Sequence, residues 1–509
     1  MALNAEPSKP EERESRHLAP KSYVNAAEEA LEDGVQEKAK QLNGKQPETK
    51  KSTGNGQQKN GAVQPVRNGV TTPGEYTGSG ILDQPSSRSP VRAHRRKASK
   101  NSLKSADSKE ELKAEKNGLV LEEFHGARGD RLTSVKPSDD YASSRQDTLD
   151  KPKRRSELVS GRKAGLGWDT SGIRWAPLNV PLKRRLQMLM VLLHSLSITL
   201  FPAAFFFLLA IPLFWPLLVP YLLYIIFSTA PFSGTLSYRS ETLRRLPIWS
   251  LFASYFPARL HRSCELPPTR KYLFGYHPHG IISHGAFSAF ATEALGFGQL
   301  FPGITNTLLT LDNNFRLPLY RDYALRLGLA AVSKESCENI LSKGGPNGEG
   351  MGRGITIVVG GAREALEAKP GSVRLILKRR KGFVKLAIRT GADLVPVFAF
   401  GENDLYDQID STEHPWIHKG QLLVKKFAGF TVPLFHARGV FNYDVGLMPY
   451  RRSLDIVVGK PIMVKQDKNP NPEYVDEIHA KYMQELLNIW EAHKDAFAKD
   501  RTTELEIVE

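Results

Sequence analysis

Cysteine is scarce in this sequence of 509 residues, which contains only Cys264 and Cys337. Two thiols cannot build a disulfide scaffold or a cysteine-rich zinc fold. The N-terminal sequence MALNAEPSKPEE lacks the apolar stretch of a cleavable secretory signal. Neither a Gly-Lys-Ser/Thr phosphate loop nor a His-Glu-x-x-His metal motif occurs, and no nucleic-acid reader motif is recognisable. Despite the net charge of +16, we therefore expect no nucleic-acid partner.

Charged residues are also missing from residues 186–230, a run of 45 positions without Asp, Glu, Lys or Arg. This length accommodates two membrane spans of about 20 residues each, and the proline-rich sequence IPLFWP at residues 211–216 divides it. We expect a hairpin, in which residues 186–210 enter the membrane and residues 213–230 return. Basic residues on both flanks place both ends on the cytosolic side, with either two spans or a re-entrant loop. A pair of buried core helices is the alternative.

The composition divides the chain into three parts. Residues 1–165 are polar and contain too few large apolar side chains to offset the chain entropy, which predicts a disordered tail. Residues 166–245 hold the membrane-embedded hairpin with its flanks, and residues 246–509 are expected to form one cytosolic domain. Basic clusters at residues 92–100 and 151–155 are typical of nuclear-localisation or lipid-binding segments, although a solvated tail explains them more simply.

The third part alternates short apolar runs with helical patterns. The predicted strands are residues 272–276, 355–359, 394–400 and 454–458. The predicted helices are residues 286–295, 322–329, 335–341, 382–389 and 473–497, the last with Asn471 as N-cap and Pro472 at its first position. Strands separated by helices predict an α/β layered domain with a largely parallel sheet.

His277 and His279 follow the first of these strands, in the sequence YHPHG. Loops between a strand and a helix are where α/β enzymes place catalytic groups. Histidine is the usual general base near neutral pH, because its pKa lies close by. The pattern therefore favours a catalytic histidine. Two structural histidines, or a zinc-binding His-x-His pair, are the alternatives.

Glu364 follows the strand at residues 355–359 and two glycines, Gly360 and Gly361. Glycines after a strand let the backbone approach a ligand or another loop closely. A carboxylate in this position could bind the far imidazole nitrogen of a histidine on a neighbouring loop and fix its tautomer. The alternative is a glutamate that merely stabilises a helix N-terminus.

Four consecutive cations, Lys378, Arg379, Arg380 and Lys381, open the helix predicted at residues 382–389. Positive charge at a helix N-terminus opposes the helix dipole, so an anionic ligand such as a phosphate would relieve the repulsion. Solvated surface charge is the alternative. Arg316 and Arg321 are further candidates for the same role.

Together these blocks resemble the type 2 diacylglycerol acyltransferase family, over about residues 178–497. The matching blocks, in chain order, are residues 255–257 (YFP), residues 277–280 (HPHG), residues 314–321 (NFRLPLYR), residues 359–366 (VGGAREAL), residues 381–403, residues 438–443 (RGVFNY) and residues 459–462 (GKPI). Two features depart from the expected pattern. Ala210 interrupts the neutral-lipid motif Phe-Leu-x-Leu, and His284 stands where wider glycerolipid acyltransferases have an Asp.

The resemblance implies a glycerolipid-acyltransferase-like fold and transfer of a fatty acyl group from acyl-coenzyme A to diacylglycerol. His279 is expected to be the base, with His277 supporting it and Glu364 as the acidic partner. Substrate binding is assigned to Gly280, Arg316, Arg321, residues 378–381, Gly382, Phe383 and Asn403.

No cofactor or metal is expected, because acyl-coenzyme A is a substrate. The resemblance implies the endoplasmic reticulum membrane, with both termini cytosolic, or a lipid-droplet surface. It leaves a homo-oligomer open. Two alternatives also stay open: monoacylglycerol or a fatty alcohol as the acceptor, and a membrane lipid-binding protein without catalysis.

Overall fold

The computed structural model describes residues 111–116, 118–125, 130–138, 173–177, 179–408 and 434–508, with residues 416, 420 and 421 in addition. Most of the predicted tail, including both of its basic clusters, lies outside the described residues. For that part the prediction of disorder stays a prediction.

The strands come mainly from the region predicted to be globular. In chain order they are β1 (Glu111–Lys116), β2 (Leu119–His125), β3 (Arg131–Pro137), β4 (Ala258–Arg262), β5 (Lys271–His277), β6 (Thr305–Thr310), β7 (Ala330–Ala331), β8 (Arg353–Val358), β9 (Arg374–Ile376), β10 (Ala392–Phe400), β11 (Asp407–Gln408), β12 (Phe435–His436), β13 (Leu454–Val458) and β14 (Glu506–Val508).

The helices fall between these strands, and the first three of them precede residue 246. In chain order they are α1 (Leu182–Leu209), α2 (Trp215–Phe227), α3 (Glu241–Arg244), α4 (Ile248–Tyr255), α5 (His284–Ala286), α6 (Phe297–Leu300), α7 (Tyr320–Arg326), α8 (Lys334–Ser342), α9 (Gly361–Glu367), α10 (Gly382–Thr390) and α11 (Pro472–Phe497). Asn471 caps α11 as predicted, since its side chain accepts the Tyr474 N–H at 2.9 Å.

Ten strands form one sheet in the order β1-β2-β3-β4-β13-β10-β5-β8-β6-β7. The part from β10 to β7 is parallel throughout. β13 is antiparallel to β10 and parallel to β4, and β1 to β3 extend the sheet as antiparallel strands. The predicted α/β domain with a large, largely parallel sheet is confirmed.

Each face of the sheet carries its own apolar core. Along β5, Tyr272, Phe274 and Tyr276 enter one core and Leu273 enters the other, because neighbouring side chains of a strand point to opposite faces. The first core includes buried residues of α4, and the second includes buried residues of α10 and α11.

The carboxyl ends of β10, β5 and β8 lie side by side in the sheet. Each of these strands runs into one of the sequence blocks that predicted the chemistry. Parallel strands end at the same edge, so the blocks containing His279, Glu364 and Asn403 converge there. We call this edge the active edge.

Part of the predicted tail is ordered, so disorder is the wrong prediction for β1 to β3. Leu119 and Val135 belong to one core and Leu132 to the other. The side chains of Glu122 and Lys136 also face inward, and they form a buried ion pair. These two charges hide the apolar alternation that would otherwise indicate strands.

One predicted helix is also wrong. Residues 286–295 form only the end of the short helix α5 and a π-helix, Phe287–Ala291. The hydroxyls of Ser288 and Thr292 bind the backbone carbonyls four residues earlier, and Thr292 is extended. Such side-chain bonds compete with regular helix. The other predicted helices and strands lie within a few residues of their expected bounds.

α1 and α2 lie where the hairpin is predicted, and the short 3-10 turn Pro212–Phe214 separates them. The 28 residues of α1 extend about 42 Å, more than the bilayer core of about 30 Å. The 13 residues of α2 extend only about 20 Å. In the most apolar window of α1 just 17% is buried, so α1 is not a core helix of the domain.

Candidate active site

His277 anchors the loop that follows β5. Its side chain is fully buried, and Nε2 lies 2.9 Å from the Tyr482 hydroxyl oxygen. That hydroxyl donates to the Gly275 carbonyl at 3.1 Å, so the imidazole donates its Nε2–H to Tyr482. Burial, with a smaller contribution from Arg380, lowers the pKa of His277 to about 3. A neutral, enclosed ring of this kind supports the loop and does not face a substrate.

His279 is partly exposed at the active edge. Its Nδ1 lies 3.0 Å from the Gly280 carbonyl oxygen, which can only accept a hydrogen bond. Nδ1 therefore carries the proton, and Nε2 carries a lone pair. Nε2 makes no hydrogen bond with any residue that the structure describes. Burial lowers the pKa of His279 below its ordinary value, which keeps the imidazole neutral near pH 7.

Glu364 lies on the first turn of α9 and is buried against the His279 loop. Oε1 accepts the backbone N–H of His279 at 2.6 Å, and Oε2 accepts the backbone N–H of Ile376 at 3.0 Å. The sequence predicts a carboxylate on the imidazole of a histidine. The structure instead places it on the backbone of His279. Burial raises the pKa of Glu364 to about 7, although the two N–H donors and Arg380 oppose the shift.

A second buried carboxylate, Glu402, was missed by the sequence prediction. Its Oε2 accepts the Tyr276 hydroxyl at 2.6 Å and the Gly285 N–H at 3.0 Å. A Cβ atom on Gly280 would lie only 2.7 Å from Cγ of Glu402, so the carboxylate packs directly against the loop. Burial raises the pKa of Glu402 to about 7. A signal was available, since a glycine and a glutamate, Gly401 and Glu402, follow β10 directly, and β8 is also followed by glycines and then a glutamate within six residues.

The predicted basic cluster at residues 378–381 lies beside the same loop, in the turn between β9 and α10. Glu364 joins the two segments, because it binds His279 with one oxygen and Ile376, the last residue of β9, with the other. The charge of Arg380 adds to the effect of burial in lowering the pKa of His279. At Glu364 the same charge opposes burial, which raises the pKa. The structure therefore brings the cluster to the candidate base.

The four cations of this turn differ in availability. Lys378 and Arg379 are exposed, and Arg380 is half-buried. Lys381 is paired with Asp476 of α11 at 2.6 Å. The first two side chains are thus the ones that a phosphate from solution can reach.

Arg321 does not take the predicted phosphate-binding position. Its side chain is fully buried; Nη1 donates to the Ile225 carbonyl at 3.0 Å and Nη2 donates to the Ser228 hydroxyl. The guanidinium satisfies groups at the C-terminal end of α2, where a helix leaves carbonyls unpaired. Arg316, by contrast, is exposed after β6 at the active edge.

Two further predicted substrate contacts are structural. The Phe383 ring is buried and packs 5.0 Å from the Tyr482 ring, centroid to centroid. Asn403 donates from Nδ2 to the Ser372 carbonyl at 2.9 Å and holds the loop after β10. Gly382 is half-buried at the first position of α10.

The surroundings of the two thiols do not favour a nucleophilic role. Cys337 is buried and Cys264 half-buried, and burial raises the pKa of both. A raised pKa opposes formation of the thiolate, which is the reactive form. Among the residues described, no group of three or more His, Cys, Asp or Glu side chains is suited to a metal ion.

A cavity of about 450 Å³ lies at the opposite edge of the sheet and is lined by Lys271, Arg389 and Lys468 among others. Nζ of Lys271 lies 3.4 Å from the Thr390 carbonyl oxygen at the end of α10. Cations stabilise a helix C-terminus, which accounts for this basic lining without a substrate.

Known proteins are similar to this chain over the region that contains the candidate site. A model of the family described as Diacylglycerol acyltransferase matches residues 207–508, more than half of the chain. Diacylglycerol O-acyltransferase 2A of Umbelopsis ramanniana is 51% identical over 340 residues, which are 66% of this chain and 94% of that protein. The chain belongs to the diacylglycerol acyltransferase family.

Two further relatives of this acyltransferase are named for different glycerolipids. Diacylglycerol O-acyltransferase 2 of Dictyostelium discoideum is 42% identical over 336 residues, which cover 66% of this chain and 99% of that protein. 2-acylglycerol O-acyltransferase 1 of Bos taurus is 44% identical over 329 residues, which cover 64% and 96%. The resemblance that the sequence blocks indicated is confirmed, and the matched region contains His279, Glu364 and Glu402.

Proposed function

We propose that this acyltransferase transfers a fatty acyl group from acyl-coenzyme A to the free hydroxyl of diacylglycerol, giving triacylglycerol and coenzyme A. The family membership supports the reaction. The observation that carries the proposed mechanism is the open Nε2 of His279 at the active edge. An imidazole nitrogen whose tautomer is fixed by a neighbouring carbonyl is suited to act as a general base.

In this mechanism Nε2 of His279 takes the proton of the acceptor hydroxyl while the oxygen attacks the thioester carbonyl. The tetrahedral intermediate then expels the coenzyme A sulfur, and the imidazolium returns the proton to it. General-base catalysis of this kind contributes about 10²–10⁴-fold. The thioester is already activated, so the reaction needs no acyl-enzyme intermediate, and the raised pKa of both cysteines agrees with this.

The backbone N–H groups of Gly280 and Ile281 are our candidates for stabilising the oxyanion. Neither group donates a hydrogen bond to a residue that the structure describes. Gly280 has φ of 61°, in the left-handed region that glycine adopts without strain. Preorganised donors next to the base are what a tetrahedral oxyanion requires.

The exposed cations of the β9–α10 turn, Lys378 and Arg379, are the proposed site for the coenzyme A phosphates. They follow a strand end that Glu364 ties to His279. A phosphate bound there would place the attached thioester near the base. Arg316, exposed at the same edge, is a further contact in the proposal.

The hairpin supplies the proposed route for the lipid. The His194 ring of α1 lies 3.8 Å from the Phe287 ring and 5.0 Å from the Phe252 ring, centroid to centroid. Phe287 belongs to the helical turns that follow the HPHG loop, so α1 packs directly on this part of the site. Elsewhere the hairpin exposes apolar side chains, with Phe207 72% and Leu213 80% exposed. A bilayer around the hairpin would cover them and let diacylglycerol arrive without crossing water.

The proposed topology follows from these parts. Residues 166–245 form the membrane-embedded hairpin, and the short α2 favours a re-entrant arrangement over two full spans. Residues 246–509, joined by β1 to β3, form the glycerolipid-acyltransferase-like catalytic domain on the cytosolic side. The remainder of residues 1–165 is a polar tail. Both termini are cytosolic, at the endoplasmic reticulum or a lipid droplet, and the catalytic unit needs no metal or cofactor. Association into a homo-oligomer is compatible with this topology.

The test is acyl transfer by the purified full chain in vesicles, with labelled acyl-coenzyme A and a choice of acceptor. Diacylglycerol should yield labelled triacylglycerol. Monoacylglycerol is the second candidate acceptor, because the Bos taurus relative is named for 2-acylglycerol. A higher kcat/KM with monoacylglycerol, or with a fatty alcohol, would replace the proposed acceptor. No product with any acceptor would leave a lipid-binding protein as the explanation.

A further inference from the structure

An exposed apolar patch lies next to the start of α1. Residues 438–448 form a loop, which we call the Phe441 loop, on which Phe441 is 73% and Leu447 69% exposed. Trp175 is 70% exposed and lies on the segment 173–177, which pairs with this loop. Large apolar side chains that are exposed together mark an interaction surface.

This patch is held in a fixed shape. Two backbone hydrogen bonds of 3.0 and 2.9 Å join Arg438 and Met448 at the base of the Phe441 loop. The Arg174 guanidinium donates two hydrogen bonds to the Asp444 carboxylate, from Nη2 at 2.6 Å and from Nε at 3.0 Å. A preorganised surface loses little conformational entropy when it docks. The exposed side chains are therefore presented by a rigid loop.

The base of the patch contacts α1 where its uncharged run begins. Nη1 of Arg451 donates to Oε1 of Gln187 at 2.8 Å, and Nη2 of Arg438 lies 4.0 Å from the Met188 sulfur. Three basic residues, Lys183 to Arg185, immediately precede this point. If the hairpin is embedded, the Phe441 loop lies at the depth of the membrane–water interface.

The loop also lies at the active edge of the sheet. It falls between β12 and β13, and just beyond it the Tyr450 N–H donates to the Leu405 carbonyl at 2.8 Å, past the carboxyl end of β10. Tryptophan and other aromatic side chains next to basic residues are typical of membrane interfaces.

We propose that the Phe441 loop and Trp175 insert into the interfacial layer of the bilayer and turn the active edge toward the lipid. This inference rests on the membrane hairpin of the proposed function. It adds a second point of membrane contact, which fixes the orientation of the domain on the surface. The acceptor hydroxyl would then reach His279 from the interface.

The location is tested with a polarity-sensitive fluorophore on the full chain in phosphatidylcholine vesicles. Cys264→Ser removes the half-buried thiol, and Phe441→Cys supplies the labelling site. Asn469→Cys, exposed at the opposite edge beside the basic cavity, is the matched control. We expect blue-shifted emission at position 441 and quenching by spin-labelled lipid, whereas iodide in solution should quench the control. Quenching by iodide at both positions would overturn the proposal. Protection of position 441 from both quenchers would also do so, by indicating a protein partner such as a second copy.

A kinetic test uses the double variant Phe441→Ser/Leu447→Ser. Its KM for long-chain diacylglycerol in vesicles should rise about tenfold, while kcat/KM for a water-soluble short-chain diacylglycerol stays unchanged. Met463→Ser removes an equally exposed side chain at the opposite edge and should change neither value. An unchanged KM in the double variant would contradict the proposal. The fluorescence test needs no activity, so failure of the proposed acyl transfer leaves it decisive.

Discussion

Oε1 of Glu364 accepts a 2.6 Å hydrogen bond from the backbone N–H of His279, whereas the imidazole of His279, among the residues that the structure describes, binds the Gly280 carbonyl alone. The other carboxylate oxygen binds Ile376 at the end of β9. One buried carboxylate thus fixes the backbone of the proposed base relative to the basic turn. The arrangement differs from a triad in which the carboxylate holds the imidazole, and this difference is measurable.

Glu364→Gln should lower kcat about 10–100-fold, because the two N–H donors bind different carboxylate oxygens, and the NH2 group of an amide would face one of them and displace the loop. The pKa of His279 in the kcat/KM profile should stay where it is, since the carboxylate does not bind the imidazole, whereas the titration of Glu364 itself, with its pKa of about 7, should disappear from the profile. Steady-state kinetics over a pH series gives both values. Glu364→Asp, which retains two acceptors, should recover part of the rate. An unchanged kcat would show that Glu364 only stabilises the start of α9. A shift in the pKa of His279 would show that the carboxylate binds the imidazole.

His279→Ala should lower kcat about 10²–10⁴-fold through loss of the general base. The variant should still sediment with membranes and change its melting temperature little, because the one hydrogen bond that the imidazole makes among the described residues joins it to the adjacent Gly280. His125→Ala, an exposed histidine at the end of β2, is the control and should retain full activity. Wild-type turnover by His279→Ala would contradict the assignment of His279 as the general base.

Tyr276 and Glu402 should be coupled in a double-mutant cycle. Tyr276→Phe and Glu402→Gln each disturb the 2.6 Å bond between the Tyr276 hydroxyl and Glu402, and each should lower the free energy of unfolding by about 1–3 kcal/mol. The double variant should lose less than the sum, by about 1 kcal/mol. Chemical denaturation in one detergent measures all four proteins. Strict additivity would show that the bond contributes nothing beyond packing.

The two buried carboxyl groups should make stability depend on pH. Burial raises the pKa of both Glu364 and Glu402 to about 7 from 4.5, so the folded state binds their protons more tightly than the unfolded state. Their contribution is complete below the unfolded pKa and is lost as the pH rises through about 7. The melting temperature of the wild type should therefore fall between about pH 5 and 8, and Glu402→Gln should reduce the slope. Glu477→Gln, on the exposed face of α11, is the control. A slope equal to that of the wild type in Glu402→Gln would contradict the shift.

The sequence allowed the convergence of the site to be predicted, because the blocks follow strands that are parallel neighbours. His279 and Glu364 meet for that reason. The atom to which Glu364 binds could not be predicted, since it depends on the loop backbone rather than on residue spacing. Arg321 shows the same limit. Its positive charge predicted a contact with a phosphate. In the structure Arg321 instead donates to the Ile225 carbonyl at the C-terminal end of α2.

The strands β2 and β3 were missed for a different reason. Each has seven residues, and the buried pair of Glu122 and Lys136 replaces apolar side chains with charges. The pairing of β3 with β4, more than a hundred residues later in the chain, also brings Arg259 within 3.8 Å of Glu122 and adds a second cation beside the buried carboxylate. Local periodicity contains no information on a partner so distant.

The basic turn should determine the affinity for acyl-coenzyme A. Lys378→Ala/Arg379→Ala removes two exposed cations and should raise the KM for acyl-coenzyme A about tenfold with little change in kcat, because only phosphate contacts are lost. The effect should weaken as ionic strength rises, since salt screens exposed charges. Lys385→Ala, exposed on α10, removes a cation outside the turn and should leave the KM unchanged. An acyl thioester of pantetheine, which lacks the nucleotide phosphates, separates charge from folding: the double variant should match the wild type with this donor. An equal loss with both donors would assign these residues to the fold, and no loss with either would place the phosphates elsewhere.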